Sequence, residues 1–337
     1  MKIDWVLSGD RTKASSRLQG ILIHEWMRSR GHSSRIVGFG SSDLKAVRSR
    51  AFLSMARDLL LSDAELVVFE GAEWPAFQLA QLCASQGKRV VAVRCDRFPG
   101  PLDDYFDATV VPTAGLAKAL GIRRAIVIED VVDVPPEVAK TSYASLPGPI
   151  KVVWFGHQGY ECFIVGWAEK LREELGDSFS FEMISTGAFA TRQWSEQTIV
   201  DDLLDCDIAV LPIPVGEWFA NKSSNRLAML FSLAMPTVAS PIHSYREIGV
   251  HGVNVLFADP DGFGAALRTL IDPAYREKLG AQARRTVGQR FSVDAIAPQW
   301  LDRLQAIERV PRRNLKASAF AAVLKLAGAW SAPLTSR

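Results

Sequence analysis

Lys222-Ser-Ser-Asn225-Arg226-Leu-Ala-Met-Leu-Phe-Ser-Leu-Ala-Met-Pro236-Thr-Val-Ala-Ser240 is the stretch from which the rest of the chain is read. From Arg226 to Ala234 nearly every residue is apolar and a good helix former, which predicts a buried helix with Ser223, Ser224 or Asn225 as its N-cap. The first turn of a helix leaves N–H groups unpaired and carries partial positive charge, and Lys222 and Arg226 add two full charges at that end. This is the pattern of an anion site. Pro236 stops the helix, Thr237 to Ala239 read as a short buried strand, and Tyr245 to Glu247 begin the next element. The competing reading is a core helix whose two cations simply face solvent.

Working outward, 337 residues exceed what one hydrophobic core usually organises, so two domains are expected. Lys plus Arg at 39 against Asp plus Glu at 37 argues against a nucleic-acid surface as the main business of the chain. Cys83, Cys95, Cys162 and Cys206 lie far apart with no C-x-x-C spacing, which suggests neither a zinc site nor a disulfide framework but reduced thiols in a cytoplasmic protein. The first residues turn charged too soon for a signal peptide, and no segment has about 18 uninterrupted apolar residues. A soluble or peripheral protein is expected.

Strand candidates alternate with helical patterns throughout. Ile3 to Leu7, Ser34 to Val37, Glu65 to Phe69, Arg89 to Arg94, Asp107 to Pro112 and Ala125 to Glu129 read as strands, with helices over Ala14 to Arg30, Asp43 to Leu61, Trp74 to Ser85 and Thr113 to Leu120. The opening strand, Ser8-Gly9-Asp10-Arg11 and helix resemble the start of a Rossmann-like unit, yet no G-x-G-x-x-G is present, so a dehydrogenase reading loses its main support. Clustered prolines between residues 134 and 149 mark an interdomain linker. A second series follows: strands at Ile150 to Phe155, Phe179 to Ile184, Ile208 to Leu211, Thr237 to Ala239 and Val253 to Phe257. Its helices run over Cys162 to Leu175, Glu196 to Leu203, Arg226 to Ala234, Gly262 to Ile271 and Ala274 to Arg290. Repeated βα units predict parallel sheets covered on both faces. The expected division is 1–133, a linker 134–149, 150–292, a helix 293–308 returning toward the first domain, and a tail 309–337. The tail is amphipathic and basic, suited either to an anionic membrane face or to docking on its own protein.

Further residues resemble a known group. Asp107-Ala-Thr-Val-Val-Pro-Thr113 and Val127-Ile-Glu-Asp130-Val-Val-Asp133-Val-Pro135 look like the end of the first domain in GT-B glycosyltransferases of the retaining family 1/family 4 group. Asp205-Cys-Asp207-Ile-Ala-Val-Leu-Pro212, Ala234-Met-Pro236-Thr-Val-Ala-Ser240 and Gly252-Val-Asn254-Val-Leu-Phe257 are similar to its second domain. The resemblance spans roughly residues 3 to 308. It implies an α/β, GT-B architecture, two Rossmann-like domains facing each other across a cleft that closes on substrate. One departure stands out: the two glutamates usual around the donor helix fall at Lys222 and Leu230 here, and the second of them holds the donor ribose in the group. A sub-pattern of some bacterial members, Lys222, Asn225, Arg226, Pro236, Tyr245 and Glu247, is intact.

The implied reaction moves a hexosyl or related group from a nucleotide-diphosphate sugar to a glycan, lipid-linked or other surface-polysaccharide acceptor, with retention. The nucleotide sugar is the co-substrate; no further cofactor, no metal and no nucleic-acid partner is expected. Charge growing on the leaving phosphate can be met by Lys222, Arg226 and helix N–H groups, while Asp205-Cys-Asp207 precedes a strand and reads as a turn cap rather than a metal site. In open parallel sheets ligands bind beyond the carboxyl ends of the strands, which brings Gly156, His157, Gln158, Ser185, Ser223, Ser224, Asn225, Tyr245 and Glu247 toward the donor. His157 is either a donor ligand or an exposed loop histidine; Glu247 either meets sugar hydroxyls or pairs with Arg246. Ser8, Gly9, Arg11 and Arg17 are expected on the acceptor side, and Asp96 is either a base or hydroxyl anchor or a turn cap. Trp74, Trp218 and Phe219 either stack on sugars or fill the core. The expected location is cytoplasmic, at the inner membrane face if the tail binds lipid. A second function class stays open: a non-catalytic GT-B protein binding a nucleotide or a protein partner.

Overall fold

In a computed structural model the apolar runs become two parallel six-stranded sheets. The structure describes residues 1–39, 50–71, 74–96, 102–144, 147–214, 216 and 220–310. The first sheet contains β1 (Lys2–Leu7), β2 (Ser33–Phe39), β3 (Leu66–Glu70), β4 (Arg89–Val93), β5 (Ala108–Val111) and β6 (Ala125–Val127), in the order β2-β1-β3-β4-β5-β6. The second contains β7 (Ile150–Phe155), β8 (Phe179–Ser185), β9 (Arg192–Gln193), β10 (Ile208–Leu211), β11 (Thr237–Ala239) and β12 (Leu256–Phe257), in the order β12-β11-β10-β7-β8-β9. Helices cover both faces, which is why strands such as β3 and β10 are buried at every residue and read as unbroken apolar runs.

The chain forms two units, one of Met1–Ile128 together with the chain from Ile296, the other of Glu129–Ala295. In the first, the Val293–Gln305 helix packs Trp300 against Trp5, ring centroids 5.8 Å apart. Arg89 bonds the carbonyls of Leu304, Gln305 and Ile307 at that helix's end, satisfying acceptors that a helix terminus leaves open. In the second unit, α/β layers pack Leu227, Leu230 and Phe231 of the Asn225–Ser232 helix against Val153, Phe155, Ala209 and Leu211 of the sheet.

Several expectations shift in position. The helix foreseen over Ala14 to Arg30 runs as Ala14–Ser16, a π turn over Arg17–Ile21 and Leu22–Ser29. Of the Asp43 to Leu61 helix, Arg50–Leu61 is seen and residues 40–49 lie outside the described residues. The strand foreseen at Val253 to Phe257 narrows to Leu256–Phe257. Edge strand β9 carries no apolar run and so left no periodic signal. The tail beyond residue 310, with Trp218 and Phe219, lies outside the described residues, as does the Trp74 side chain. Among the described residues no helix is long and apolar enough to cross a membrane.

The proline-rich stretch after β6 belongs to the second unit and is bonded into it. Lys140 donates its backbone N–H to Leu233 and its ammonium to the carbonyls of Leu204 and Cys206, at 2.8, 3.0 and 2.8 Å. The Tyr143 hydroxyl donates to Ala234 O at 2.8 Å. Prolines deny the stretch a sheet or helix partner, but its carbonyls still accept from side chains. Arg284 donates to Pro136 O at 2.5 Å and Val138 O at 2.8 Å, and fully buried Arg276 donates to Tyr143 O at 2.8 Å while also holding Leu270 O at 2.7 Å and Ile271 O at 3.0 Å. Arg276→Met should therefore leave buried carbonyls without a donor and cost at least about 3 kcal/mol in urea unfolding, whereas a loss below about 1 kcal/mol would show these contacts to be incidental.

Candidate functional site

The order of the second sheet reverses between β7 and β10, because the chain builds β8 and β9 on one side of β7 and then returns to lay down β10, β11 and β12 on the other. Such switch points open a crevice at the carboxyl ends of the strands. The Asn225–Ser232 helix lies in the β10-to-β11 connection and starts at this point. Arg226 Nη1 donates to Phe155 O, the last carbonyl of β7, at 3.3 Å. The next residue is Gly156, where a Cβ would fall 2.5 Å from Trp154 Cζ2 and 3.1 Å from Arg226 Nη1. A side chain there would drive into the buried Trp154 indole and crowd the guanidinium, so the close packing at this strand end requires glycine.

The head of the helix is held by hydroxyls. Ser223 Oγ donates to buried Asp130 at 2.5 Å and accepts the Asn225 N–H at 3.1 Å, so Ser223 serves the first turn, while Ser224 occupies the N-cap position without a side-chain cap bond. Ser244 Oγ fixes the Lys222 carbonyl at 2.5 Å. Half-buried Lys222 carries its ammonium 5.9 Å from the Tyr160 ring centroid, a cation–π placement. Tyr245 is fully buried; burial pushes its phenol pKa up, against the pull of the neighbouring Arg226 and Lys222 charges. Two cations and a helix N-terminus thus meet at one strand end, an arrangement able to take the negative charge of a phosphate.

The surrounding loops divide. His157 and Gln158 are exposed, His157 Nδ1 accepting the Gly159 N–H at 3.0 Å and Gln158 Oε1 accepting from Thr186 at 3.3 Å. Ser185, at the end of β8, is fully buried. Glu247 lies 3.3 Å from His243 one turn away, not on Arg246, which instead donates to Pro241 O and stacks over Phe257. Leu230 sits in the core with no exposure, so that position supplies nothing polar to a ligand. Asp205 bonds Arg192 at 2.6 Å and Lys151 at 3.2 Å, and the Arg192 bond in the first place holds its carboxyl below the usual range. Asp207 accepts the Lys151 N–H at 2.9 Å.

The first sheet has its own reversal, between β1 and β3, and a carboxylate stands there. Buried Glu70 Oε2 accepts from Ser8 N at 2.8 Å, from Ser16 Oγ at 2.7 Å and from Ser8 Oγ, while Lys13 Nζ donates to Ser8 Oγ at 2.7 Å. Ser8 is therefore committed to shaping the loop with Gly9. Arg11 pairs with Glu25 at 2.6 Å, and buried Arg17 donates to Arg11 O at 2.6 Å. Asp96 is half-buried just beyond β4, its Oδ2 3.9 Å from Cys95 Sγ. Glu70 and Glu161, the first residue of the Glu161–Leu175 helix, are buried acids absent from the sequence reading. Their one signal is position: an acid directly at a strand's carboxyl end, and an acid opening a helix after a glycine loop.

No protein-family model matches this sequence, nor does a curated protein sequence. Solved structures do match. A glycosyltransferase from Rickettsia africae ESF-5 aligns over 91% of this chain and 98% of its own, with a TM-score of 0.66 and 11% identity. HepE from Anabaena, solved with UDP and glucose, aligns over 91% and 100%, with a TM-score of 0.64 and 12% identity. TarM, an S. aureus protein, aligns over 75% of this chain with a TM-score of 0.58 and 12% identity; the match spans 58% of TarM. Matched over nearly the whole of two parallel α/β units, the chain has the fold of the GT-B glycosyltransferases.

Proposed function

We propose that the protein is a glycosyltransferase taking a nucleotide-diphosphate sugar, with Lys222 and Arg226 at the head of the Asn225–Ser232 helix binding the diphosphate. The observation that carries this reading is the placement of Arg226 on the Phe155 carbonyl at the β7/β10 switch point. When the bond from the anomeric carbon to the β-phosphate oxygen breaks, its electron pair stays on that oxygen, and cations with oriented N–H groups stabilise the charge most where it grows. The acceptor, a glycan, lipid-linked or other surface-polysaccharide hydroxyl, forms the new bond to the anomeric carbon and gives up its proton, for which Asp96 is the proposed recipient or hydroxyl anchor. Retention, and stabilisation of the leaving group without a metal, complete the reading. In its support, a matching structure of trehalose-6-phosphate synthase, 14% identical with a TM-score of 0.56, concerns glycosyl transfer with retention, and HepE was solved with UDP and glucose.

Leu230 favours a second reading, a GT-B protein that binds a nucleotide without catalysing transfer, since a buried leucine stands where the group carries a carboxylate. Release of sugar separates the two. Incubated with a panel of nucleotide sugars, the protein should liberate nucleoside diphosphate from at least one; binding without release would establish the non-catalytic reading.

Lys222→Ala and Arg226→Ala should fold normally. Each charge-assisted hydrogen bond lost is worth roughly 1.5 to 3 kcal/mol, so diphosphate-sugar affinity should fall about 10- to 150-fold in titration calorimetry, with the bare nucleoside hardly affected. Parent-like diphosphate binding by both variants would remove the phosphate site and the argument built on it.

A further inference from the structure

Beside the phosphate site, at the carboxyl ends of β7 and β8, Glu161 Oε1, Ser185 Oγ and Trp154 Nε1 are buried polar atoms without a hydrogen-bond partner among the described residues. Their residues are 3%, 0% and 2% exposed, so bulk water does not serve them in this conformation. The strand register places them together. Trp154 pairs with Met183 and Phe155 with Ile184, and Gly156 N–H donates to Ile184 O at 3.1 Å, which sets Gly156 beside Ser185 at the carboxyl ends of β7 and β8. Side chains alternate along a strand, so Trp154, Met183 and Ser185 share the face that packs on the Glu161–Leu175 helix, as the contacts of Trp154 and Met183 with Ile164, Trp167 and Ala168 confirm. Glu161 opens that helix. Its Oε2 accepts the Phe189 N–H at 3.2 Å, and a Cβ at Gly187 would fall 2.1 Å from Oε2 and 2.3 Å from Oε1, so the segment after β8 lies directly on the carboxylate.

Buried polar groups left unpaired are costly, and three at one strand end call for an occupant with complementary groups. Two donors flanking a carboxylate complement a pair of adjacent hydroxyls, which can give protons to the acid and accept from serine and indole. Gly156 stands between this nook and Arg226: its Cβ position lies 2.5 Å from Trp154 Cζ2 and 3.1 Å from Arg226 Nη1, so the indole side of the nook borders the phosphate site. The segment is anchored at its far end, where Met183 N–H donates to Thr191 Oγ1 at 2.8 Å, Thr191 N–H to Met183 O at 2.9 Å and Trp194 N–H to Ser185 O at 2.9 Å. Over the carboxylate it is held by the Phe189 N–H and by two exposed bonds at 3.3 Å, Thr186 to Gln158 and Gln193 to the Gly187 carbonyl. A ligand at Glu161 therefore requires residues 186–189 to shift while Thr191 stays anchored.

We propose that Glu161, with Ser185 and Trp154 beside it, binds a vicinal diol of the donor next to the diphosphate, a role that rests on the glycosyltransferase reading. The diol belongs either to the ribose or to the transferred sugar, and the test distinguishes them. UDP and GDP, their 2′,3′-dideoxy forms and the corresponding glucose conjugates are titrated into the parent protein, Glu161→Gln and Ser185→Ala, each checked by thermal unfolding. For a ribose diol the parent should prefer the hydroxylated diphosphate to the dideoxy form by about tenfold or more, a preference abolished in Glu161→Gln and reduced in Ser185→Ala. For a sugar diol the ribose preference survives, and the gain from the attached glucose disappears instead. Should Glu161→Gln not fold, Ser185→Ala decides alone. Variants that keep both preferences overturn the proposal while leaving the function intact; a parent protein that binds no diphosphate overturns both.

Discussion

The bond from the Arg226 guanidinium to the last carbonyl of β7 ties the helix head to the sheet, and the candidate site follows from it. In a parallel sheet every strand points the same way, so every βα loop is delivered to one edge and each following helix starts there with its N–H groups outward. At the β7/β10 reversal the loops on either side lead away in opposite directions, leaving room for a ligand rather than another loop. Arg226 fills that position with charge, and Gly156 yields the space for it. The hydroxyls of Ser223 and Ser244 then hold the chain before the helix by its backbone and by Asp130.

The two sheets use the same geometry for different ends. At the reversal of the first sheet a buried acid, Glu70, is enclosed by hydroxyls and a lysine, so its charge is spent inside the protein on shaping the Ser8 loop. At the reversal of the second, charged groups remain turned toward the strand ends, and a second buried acid, Glu161, keeps one oxygen without a partner among the described residues. A satisfied buried polar network fixes one conformation; one left incomplete holds specificity for whatever completes it. The chemistry assigned to each unit follows this difference.

The architecture was legible because it is written in period and length. Runs such as Leu66–Glu70 and Ile208–Leu211 are apolar throughout since both faces of the sheet are covered, and the Asn225–Ser232 helix announces itself by apolar helix formers between polar caps and Pro236. Lys222 and Arg226 were readable for the same reason, as cations beside a helix start. What stayed illegible depends on contacts between distant residues. Glu70 and Glu161 look in sequence like surface acids at the edges of elements; only folding brings Ser8 and Ser16 to the first and Gly187 and Phe189 to the second. The π turn at Arg17–Ile21 departs from helix without changing the apolar pattern, and the stretch of residues 134–149 reads as linker because prolines report local backbone limits, not the Arg276 and Tyr143 bonds that hold it down.

A crystal structure of the protein with a bound nucleoside diphosphate tests the account most directly. Its two phosphates should lie at the head of the Asn225–Ser232 helix, with an oxygen within hydrogen-bond distance of Arg226, another near Lys222, and Gly156 against the ligand. Phosphates located anywhere else, with Arg226 still bonded only to Phe155, would contradict it.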